Sequence, residues 1–285
     1  MSSYKRTKLV KERFYVLKQL LIPFVFVGLF TLQAEGQDLD VPYVPTPQPV
    51  VNKMLEVTNV EPGDYVIDLG SGDGRIVVTA AKRGAVGHGV DLDPQRISEA
   101  RANAEKNGVE DRVVFLQEDI FETDIRQASV ITMYLLTSVN RKLRPRLFED
   151  LRPGTRIVSH SFDMGDWEPD STMRVESSTG RNHTIYYWII PADASGEWSW
   201  DVEGDNFDLS VSQQYQKIDI TLQRSGSSLE TNHAVVKGQR ISFTATDGSQ
   251  RYVYSGRIEG NSITGTVQIH DGENDRVLDW SATKN

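Results

Sequence analysis

Asp68-Leu69-Gly70-Ser71-Gly72-Asp73-Gly74 follows directly on Tyr65-Val66-Ile67 and runs into Arg75-Ile76-Val77-Val78. Tyr65 to Leu69 has the apolar character of a short buried strand, while Ile76, Val77, Val78, Ala80 and Ala81 recur at helical spacing. Glycines between a strand and a helix let the backbone turn sharply and approach a ligand, and the helix start offers unpaired N–H groups. A second strand, Val86 to Val90, ends at Asp91, where a carboxylate accepts from both hydroxyls of a ribose. The stretch therefore reads as the nucleoside site of an α/β fold.

The pattern continues on both sides. Val50, Val51, Met54 and Leu55 predict a helix from Val50 to about Val60. Asp93-Pro94 is a helix start, a carboxylate cap with proline at the first helical position, and Asn107-Gly108 is a stop. Further strands are expected at Val113 to Leu116, Ser129 to Met133, Arg156 to Ser159 and His183 to Ile190. A helical stretch from Val139 to Leu151 contains Pro145, which is expected to restart the helix rather than sit in its middle. Strands alternating with helices predict an open, mainly parallel, doubly wound sheet covered on both faces, with its ligand at the carboxyl ends of the strands.

After Pro191 helical spacing disappears, and short alternating segments are punctuated by Glu203-Gly204, Asp247-Gly248 and Asp271-Gly272. Val236-Lys237-Gly238-Gln239-Arg240-Ile241 is echoed by Ile258-Glu259-Gly260-Asn261-Ser262-Ile263, a recurring β-turn-β unit. A small all-β domain, an antiparallel meander or barrel, is expected over residues 192–285. Its Trp198, Trp200, Phe207, Phe243 and Tyr252 either line a ligand surface or, as aromatics more often do, fill the core.

Charge selects the ligand class. Dinucleotide sites use G-x-G-x-x-G and keep the loop uncharged, because a pyrophosphate rests on it. Here the spacing is G-x-G-x-G, with Asp68 before the loop and Asp73 inside it. Two carboxylates repel a pyrophosphate and suit the ammonium and sulfonium of S-adenosylmethionine. Asp119, in Gln117-Glu118-Asp119-Ile120-Phe121, is placed to accept from an adenine amino group, with Leu92 and Ile120 over the ring faces. The expected cofactor set is Asp68, Gly70, Ser71, Gly72, Asp73, Gly74, Asp91, Leu92, Asp119 and Ile120.

The formal net charge is −9, so no nucleic-acid partner is expected. The chain has no cysteine, which excludes disulfides, thiolate metal sites and a cysteine nucleophile, and no metal is expected. Lys5, Arg6, Lys8, Lys11, Arg13 and Lys18 precede an uncharged, mainly apolar run from Leu20 to Leu32, followed by Ala34, Gly36 and the acids Asp38 and Asp40. Residues 1–36 thus read as a signal peptide or membrane anchor, placing the remainder in the cell envelope, periplasmic or membrane-anchored. The cytoplasm is the alternative if the segment is not an export signal, and membrane contact is expected only through it, if uncleaved. Residues 37–49, which include Val41-Pro42-Tyr43-Val44-Pro45, are too proline-rich for a helix or central strand and are expected to form an extended arm.

The glycine stretch from Asp68 to Val77, the Pro42-Tyr43-Val44-Pro45 arm, and Asp163 to Pro169 with Trp167 resemble the mitochondrial lysine methyltransferases that act on the c subunit of ATP synthase, together with bacterial methyltransferase-domain proteins of the same build. The resemblance covers roughly residues 41 to 170. It implies a Rossmann-like seven-stranded class I methyltransferase sheet over residues 50–191, S-adenosylmethionine as methyl donor, and N-methylation of a lysine. The acceptor is then a protein or a small-molecule amine.

Methyl transfer to an amine needs an in-line approach, an apolar channel that lowers the amine pKa, and a route for the proton. Tyr134 and Asp163, ending the fourth and fifth strands, are the candidate catalytic groups, with Tyr43, Phe162 and Trp167 as candidate walls of the acceptor channel. His160 reads as a structural histidine. Met133-Tyr134-Leu135-Leu136 stands where Asn-Pro-Pro-Tyr serves amide and base amino acceptors. Two other classes compete with a methyltransferase. One is a non-catalytic envelope binding module built on the same fold, suggested by the N-terminal segment. The other is a nicotinamide-dependent oxidoreductase, disfavoured by the loop charges.

Overall fold

The computed structural model describes residues 43–272 and 274–285, so the expected signal or anchor and the arm as far as Pro42 lie outside the described residues. Helix α1 (Gln48–Val57) starts behind Pro47, whose fixed backbone suits a helix entrance, and buries Val50, Val51, Met54 and Leu55. Strand β1 (Tyr65–Leu69) leads through the glycine loop into α2 (Arg75–Lys82). Strand β2 (Val86–Asp91) is followed by α3 (Pro94–Asn107), where the Asp93 carboxylate accepts from the Gln95 amide and Gly108, at φ 64°, closes the helix. Then come β3 (Val113–Gln117), β4 (Val130–Met133), α4 (Thr137–Asp150), β5 (Arg156–His160), β6 (Ser171–Glu176) and β7 (Asn182–Ile189).

These strands form a seven-stranded sheet in the order β3-β2-β1-β4-β5-β7-β6. The pairings from β3 to β5 are parallel, and β7 joins β5 antiparallel with β6 on its far side. Helices α1, α2 and α3 cover one face, and α4 packs on the other through Val139, Leu143 and Leu147. Strand order reverses between β1 and β4, and the crevice at that reversal is where a doubly wound sheet holds a ligand.

Two features depart from the sequence pattern. Helix α4 runs unbroken through Pro145, which was expected to restart it. A mid-helix proline costs about 3 kcal/mol, and burial of Val139, Leu143 and Leu147 on either side of it offsets that cost. Strand β6, at the sheet edge, was not foreseen, because only two apolar residues, Met173 and Val175, alternate with its exposed polar ones.

The chain then builds β8 (Gly196–Val202), β9 (Asp205–Gln214), β10 (Lys217–Arg224), β11 (Ser227–Lys237), β12 (Arg240–Thr246), β13 (Arg251–Glu259), β14 (Ser262–His270) and β15 (Asp275–Lys284), closed into a barrel of these eight strands. Glu203 and Gly204 both have positive φ, as a two-residue hairpin turn matching strand twist requires. The echoed segments are two equivalent hairpins, closed at Lys237↔Arg240 and Glu259↔Ser262. Trp198, Trp200, Phe207, Phe243 and Tyr252 are all buried in one core, so they fill the barrel rather than line a ligand surface. A barrel of this strand number has an interior just wide enough for side chains.

Trp167 joins the two folds. It is fully buried, stacks beside Phe148 and Tyr215, and donates its indole N–H to Gln216 Oε1 at 2.8 Å. Gln216 Nε2 donates in turn to the Glu168 carbonyl at 2.7 Å, and the Tyr215 hydroxyl donates to Asp166 at 2.8 Å. Gln216→Ala strands a buried indole donor, and a loss of about 1–3 kcal/mol is expected. Denaturant unfolding followed by tryptophan fluorescence measures it, whereas Lys217→Met, which removes only an exposed pair with Glu168, changes stability by less than about 0.5 kcal/mol.

Candidate active site

The cavity at the β1/β4 reversal encloses about 1200 Å³ of empty space, its open mouth included. Its floor is the glycine loop with Asp68, Ser71 and Asp73. One wall carries Asp91, Leu92, Asp119 and Ile120, another carries Tyr134, Leu135, Leu136 and Phe162, and the arm residues Tyr43 to Thr46 lie across it. Sequence candidates separated by more than a hundred positions thus meet in one place.

Parallel pairing sets Asp68 beside Thr132 of β4, whose hydroxyl donates to Asp68 Oδ1 at 2.6 Å. Among the described residues, none donates to the buried Asp68 Oδ2 and none pairs with the buried Ser71 hydroxyl. Burial pushes the Asp68 carboxyl up to about 7, against the pull of Thr132 and with added repulsion from Asp91 and Asp73. A buried carboxylate short of one partner is the acceptor that an ammonium group would satisfy.

Asp73 lines the cavity where its position suggested, but it is already paired. Burial works to raise its pKa, but the Arg75 guanidinium grips both its oxygens and holds it below the usual carboxylate range. Arg75 also donates to the Thr46 carbonyl at 3.0 Å, tying the arm to the loop. Asp91 accepts the Gly72 amide at 2.9 Å and the Asp93 amide at 3.0 Å, one on each oxygen, which fixes its carboxylate at the tip of β2. Asp119 accepts the Phe121 amide at 2.8 Å and so rolls up the loop after β3.

The glycines divide their work. A Cβ on Gly72 would collide with the Tyr43 ring, which sits against the loop with the Arg96 guanidinium 4.4 Å from its centroid. Gly74, expected at the cofactor, is a packing residue instead. It caps α2 at φ 74°, and a Cβ there would meet Phe115 and Ala100, so it sets the helix against β3 and α3 rather than lining the cavity.

On the acceptor side Tyr134 and Phe162 line the cavity and stack on each other, with centroids 5.9 Å apart. Behind Tyr134 lies His160 at 3.8 Å, fully buried and bonded through both ring nitrogens, to Thr46 at 3.1 Å and His183 at 2.8 Å. Burial, reinforced by His183, pushes its pKa down to about 4. His160 is therefore a neutral, fully engaged support for Tyr134 and for the arm.

Two expected site residues lie elsewhere. Asp163 was a catalytic candidate, but Ser161 adopts φ 64° and turns the chain, so the Asp163 carboxylate accepts from the Gly165 amide at 3.1 Å and is absent from the cavity lining. Trp167 was a channel candidate, but it is consumed by the contact with the barrel. Residues that sequence reasoning missed are Thr132, Arg75, Arg96 and Asn140. Asn140 donates to the Phe162 and Asp163 carbonyls at 3.2 and 3.0 Å and so fixes the aromatic wall. Nothing local marks it; a buried asparagine on an amphipathic helix gains meaning only from what faces it.

The donor set fits S-adenosylmethionine. Asp68 and Ser71 offer unpaired buried oxygens for the amino-acid end, Asp91 a fixed carboxylate for the ribose, and Leu92, Asp119 and Ile120 a wall for the adenine. Ammonium binding requires Asp68 ionised, so affinity for S-adenosylhomocysteine is expected to rise as pH increases from about 5.5 towards 7.5, with protons released on binding. Calorimetry in buffers of different ionisation enthalpy reads this directly, and in Asp68→Asn both the pH dependence and the proton release should vanish.

Residues 68–171 match a family model described as the ANTKMT methyltransferase domain, which ends before the barrel begins. A protein-lysine N-methyltransferase of Saccharolobus islandicus (strain REY15A) is 50% identical over 154 residues, which is 53% of this chain and 94% of that protein. The adenine nucleotide translocase lysine N-methyltransferase of Mus musculus is 34% identical over 132 residues, 46% of this chain and 57% of its own. A crystal structure from Salinibacter ruber, described as an RNA methyltransferase in complex with S-adenosyl-L-homocysteine, is 54% identical, covers 53% of this chain and 95% of that one, and superposes with a TM-score of 0.50. The chain thus spans nearly all of the Saccharolobus and Salinibacter proteins and little more than half of the mouse enzyme.

Proposed function

Since the chain belongs to the family of class I S-adenosylmethionine-dependent methyltransferases that carry this ANTKMT domain, we propose that it methylates the ε-amine of a lysine in a protein acceptor. The observation that carries the proposal is the joining, in one cavity, of an unpaired Asp68 carboxylate oxygen and an aromatic wall. S-adenosylmethionine supplies a methyl group on a positively charged sulfur. What this chain adds is the surface that receives the amine. Leu136, Phe162 and the Tyr134 ring are half-buried, and an amine held against these carbon surfaces is desolvated, which favours its neutral, nucleophilic form. His160 takes no proton in this scheme, because both its nitrogens are already bonded. The 50% identity with a protein-lysine N-methyltransferase favours a lysine.

The relative described as an RNA methyltransferase makes RNA the competing acceptor. Purified full-length protein, incubated with S-adenosylmethionine labelled in the methyl group and fractionated host extract, separates the two. The expected result is a protein band that resists ribonuclease and yields methyllysine on hydrolysis. Label confined to RNA would reassign the acceptor, and binding of S-adenosylhomocysteine without transfer to any fraction would favour the non-catalytic module. Tyr134→Ala and Phe162→Ala are expected to lower transfer at least tenfold while leaving S-adenosylhomocysteine affinity within about threefold, since they form the amine side of the cavity.

Residues 1–36 are proposed to direct the enzyme to the cell envelope. Their basic start, apolar run and small-residue exit support this. A reporter active only outside the cytoplasm, fused after residue 60, is expected to be active, and a signal from a cytoplasm-only reporter instead would remove the proposal.

A further inference from the structure

Strands β3 and β4 are joined by a loop that carries Asp119 and Ile120 into the cavity. Its inner hydrogen bonds are its own: the Asp119 carboxylate accepts from Phe121, and the Asp119 carbonyl accepts from the Glu122 and Thr123 amides at 3.0 Å. That turn leaves the carbonyls of Ile120, Phe121 and Thr123 pointing away from the cavity. All three converge on one side chain. Arg146 of α4 donates through one terminal nitrogen to Ile120, at 3.5 Å, and to Phe121, and through the other to Thr123 at 2.8 Å. Its remaining donors go to the Asp150 carboxylate, one helical turn further on, at 2.9 and 3.2 Å. Among the described residues no other side chain donates to these three carbonyls.

We propose that Arg146 is the positioning residue for the base-reading end of the cofactor site: by holding the loop from behind, it sets where Asp119 and Ile120 meet the adenine and so sets the discrimination for that base. The inference rests on the cofactor assignment above and extends it to a residue that does not line the cavity. Only arginine suits the task. Its planar fork carries five donors in fixed directions and stays charged at every relevant pH, so it spans three carbonyls and a carboxylate at once, whereas the point charge of a lysine serves one or two. Pro145 immediately precedes it and removes one backbone dihedral from the platform on which the guanidinium stands. The half-buried Asp150 partner keeps the fork oriented.

Calorimetry on the full chain, comparing S-adenosylhomocysteine with S-inosylhomocysteine, tests this. The inosine ligand places a carbonyl where adenine has its amino group, so a fixed Asp119 should disfavour it by about a hundredfold or more. In Arg146→Met the affinity for S-adenosylhomocysteine is expected to fall roughly tenfold and the preference for adenine to shrink to a few-fold, with Arg146→Lys between the two. If Arg146→Met does not fold, Arg146→Lys decides. Equal weakening of both ligands with the preference intact would overturn the proposal, because it would mean that Arg146 merely supports the fold. So would variants that bind both ligands like the wild type. A wild type that binds both ligands alike would show that this loop does not read the base, and would overturn it too. Failure of the wild type to bind either ligand would instead refute the cofactor assignment itself.

Discussion

The buried carboxyl of Asp68 is the constraint around which the catalytic half is arranged. Placing it at the end of a central strand takes it out of water, and the neighbouring strand returns a single hydrogen bond from Thr132. Without a ligand the group is held near neutrality, with a pKa of about 7. The sign follows from linkage. Because folding raises this pKa, the group's contribution to stability is complete below the ordinary carboxylate range and is lost as pH rises towards 7. A cation bound at Asp68 reverses that loss. The site is thus built to be incomplete alone, and its surroundings are crowded: Leu135 over Gly70, Tyr43 over Gly72, and the arm across the mouth.

Loops that form a ligand site have no strand ladder of their own, so their carbonyls need donors from elsewhere. Helix α4 supplies most of them. Asn140 holds Phe162 and Asp163, Arg144 holds Met164 and Asp166, and Arg146 holds the loop after β3. One helix on the far face of the sheet therefore fixes both walls of the cavity, the aromatic one and the one assigned to adenine. That division explains why the helix tolerates Pro145: its apolar side is anchored in the core and its polar side is anchored in two loops.

The barrel meets the catalytic domain at the end of the same structure. Tyr215 and Gln216, in the turn between β9 and β10, grip Asp166, Trp167 and Glu168, four to six residues beyond Phe162. Two similar proteins are spanned almost completely by about half of this chain, and the family model stops before the barrel. Its interior is packed with aromatic side chains, and the turn at Tyr215 and Gln216 meets the catalytic domain at Asp166 to Glu168, outside the cavity lining.

What the sequence determined was the chemistry that local covalent order can encode. A strand, three glycines and the ordered acids Asp68, Asp91 and Asp119 specify a nucleoside site, because sharp turns, close approach and strand-end carboxylates depend on neighbours in the chain. Several hairpins of the barrel were legible for the same reason, since a left-handed turn residue marks each of them, as at Glu203-Gly204, Gly248 and Gly272. Tertiary structure alone decided which of those acids stays unpaired. Asp73 is paired with Arg75, two residues on, whereas the packing around the end of β1 leaves Asp68 Oδ2 with no donor among the described residues. It also decided the fates of Asp163 and Trp167: a left-handed residue at Ser161 turned one away from the cavity, and a barrel turn nearly fifty residues distant claimed the other. The direction of a side chain beyond a strand end is set by what packs against it, and that partner is brought there only by the fold.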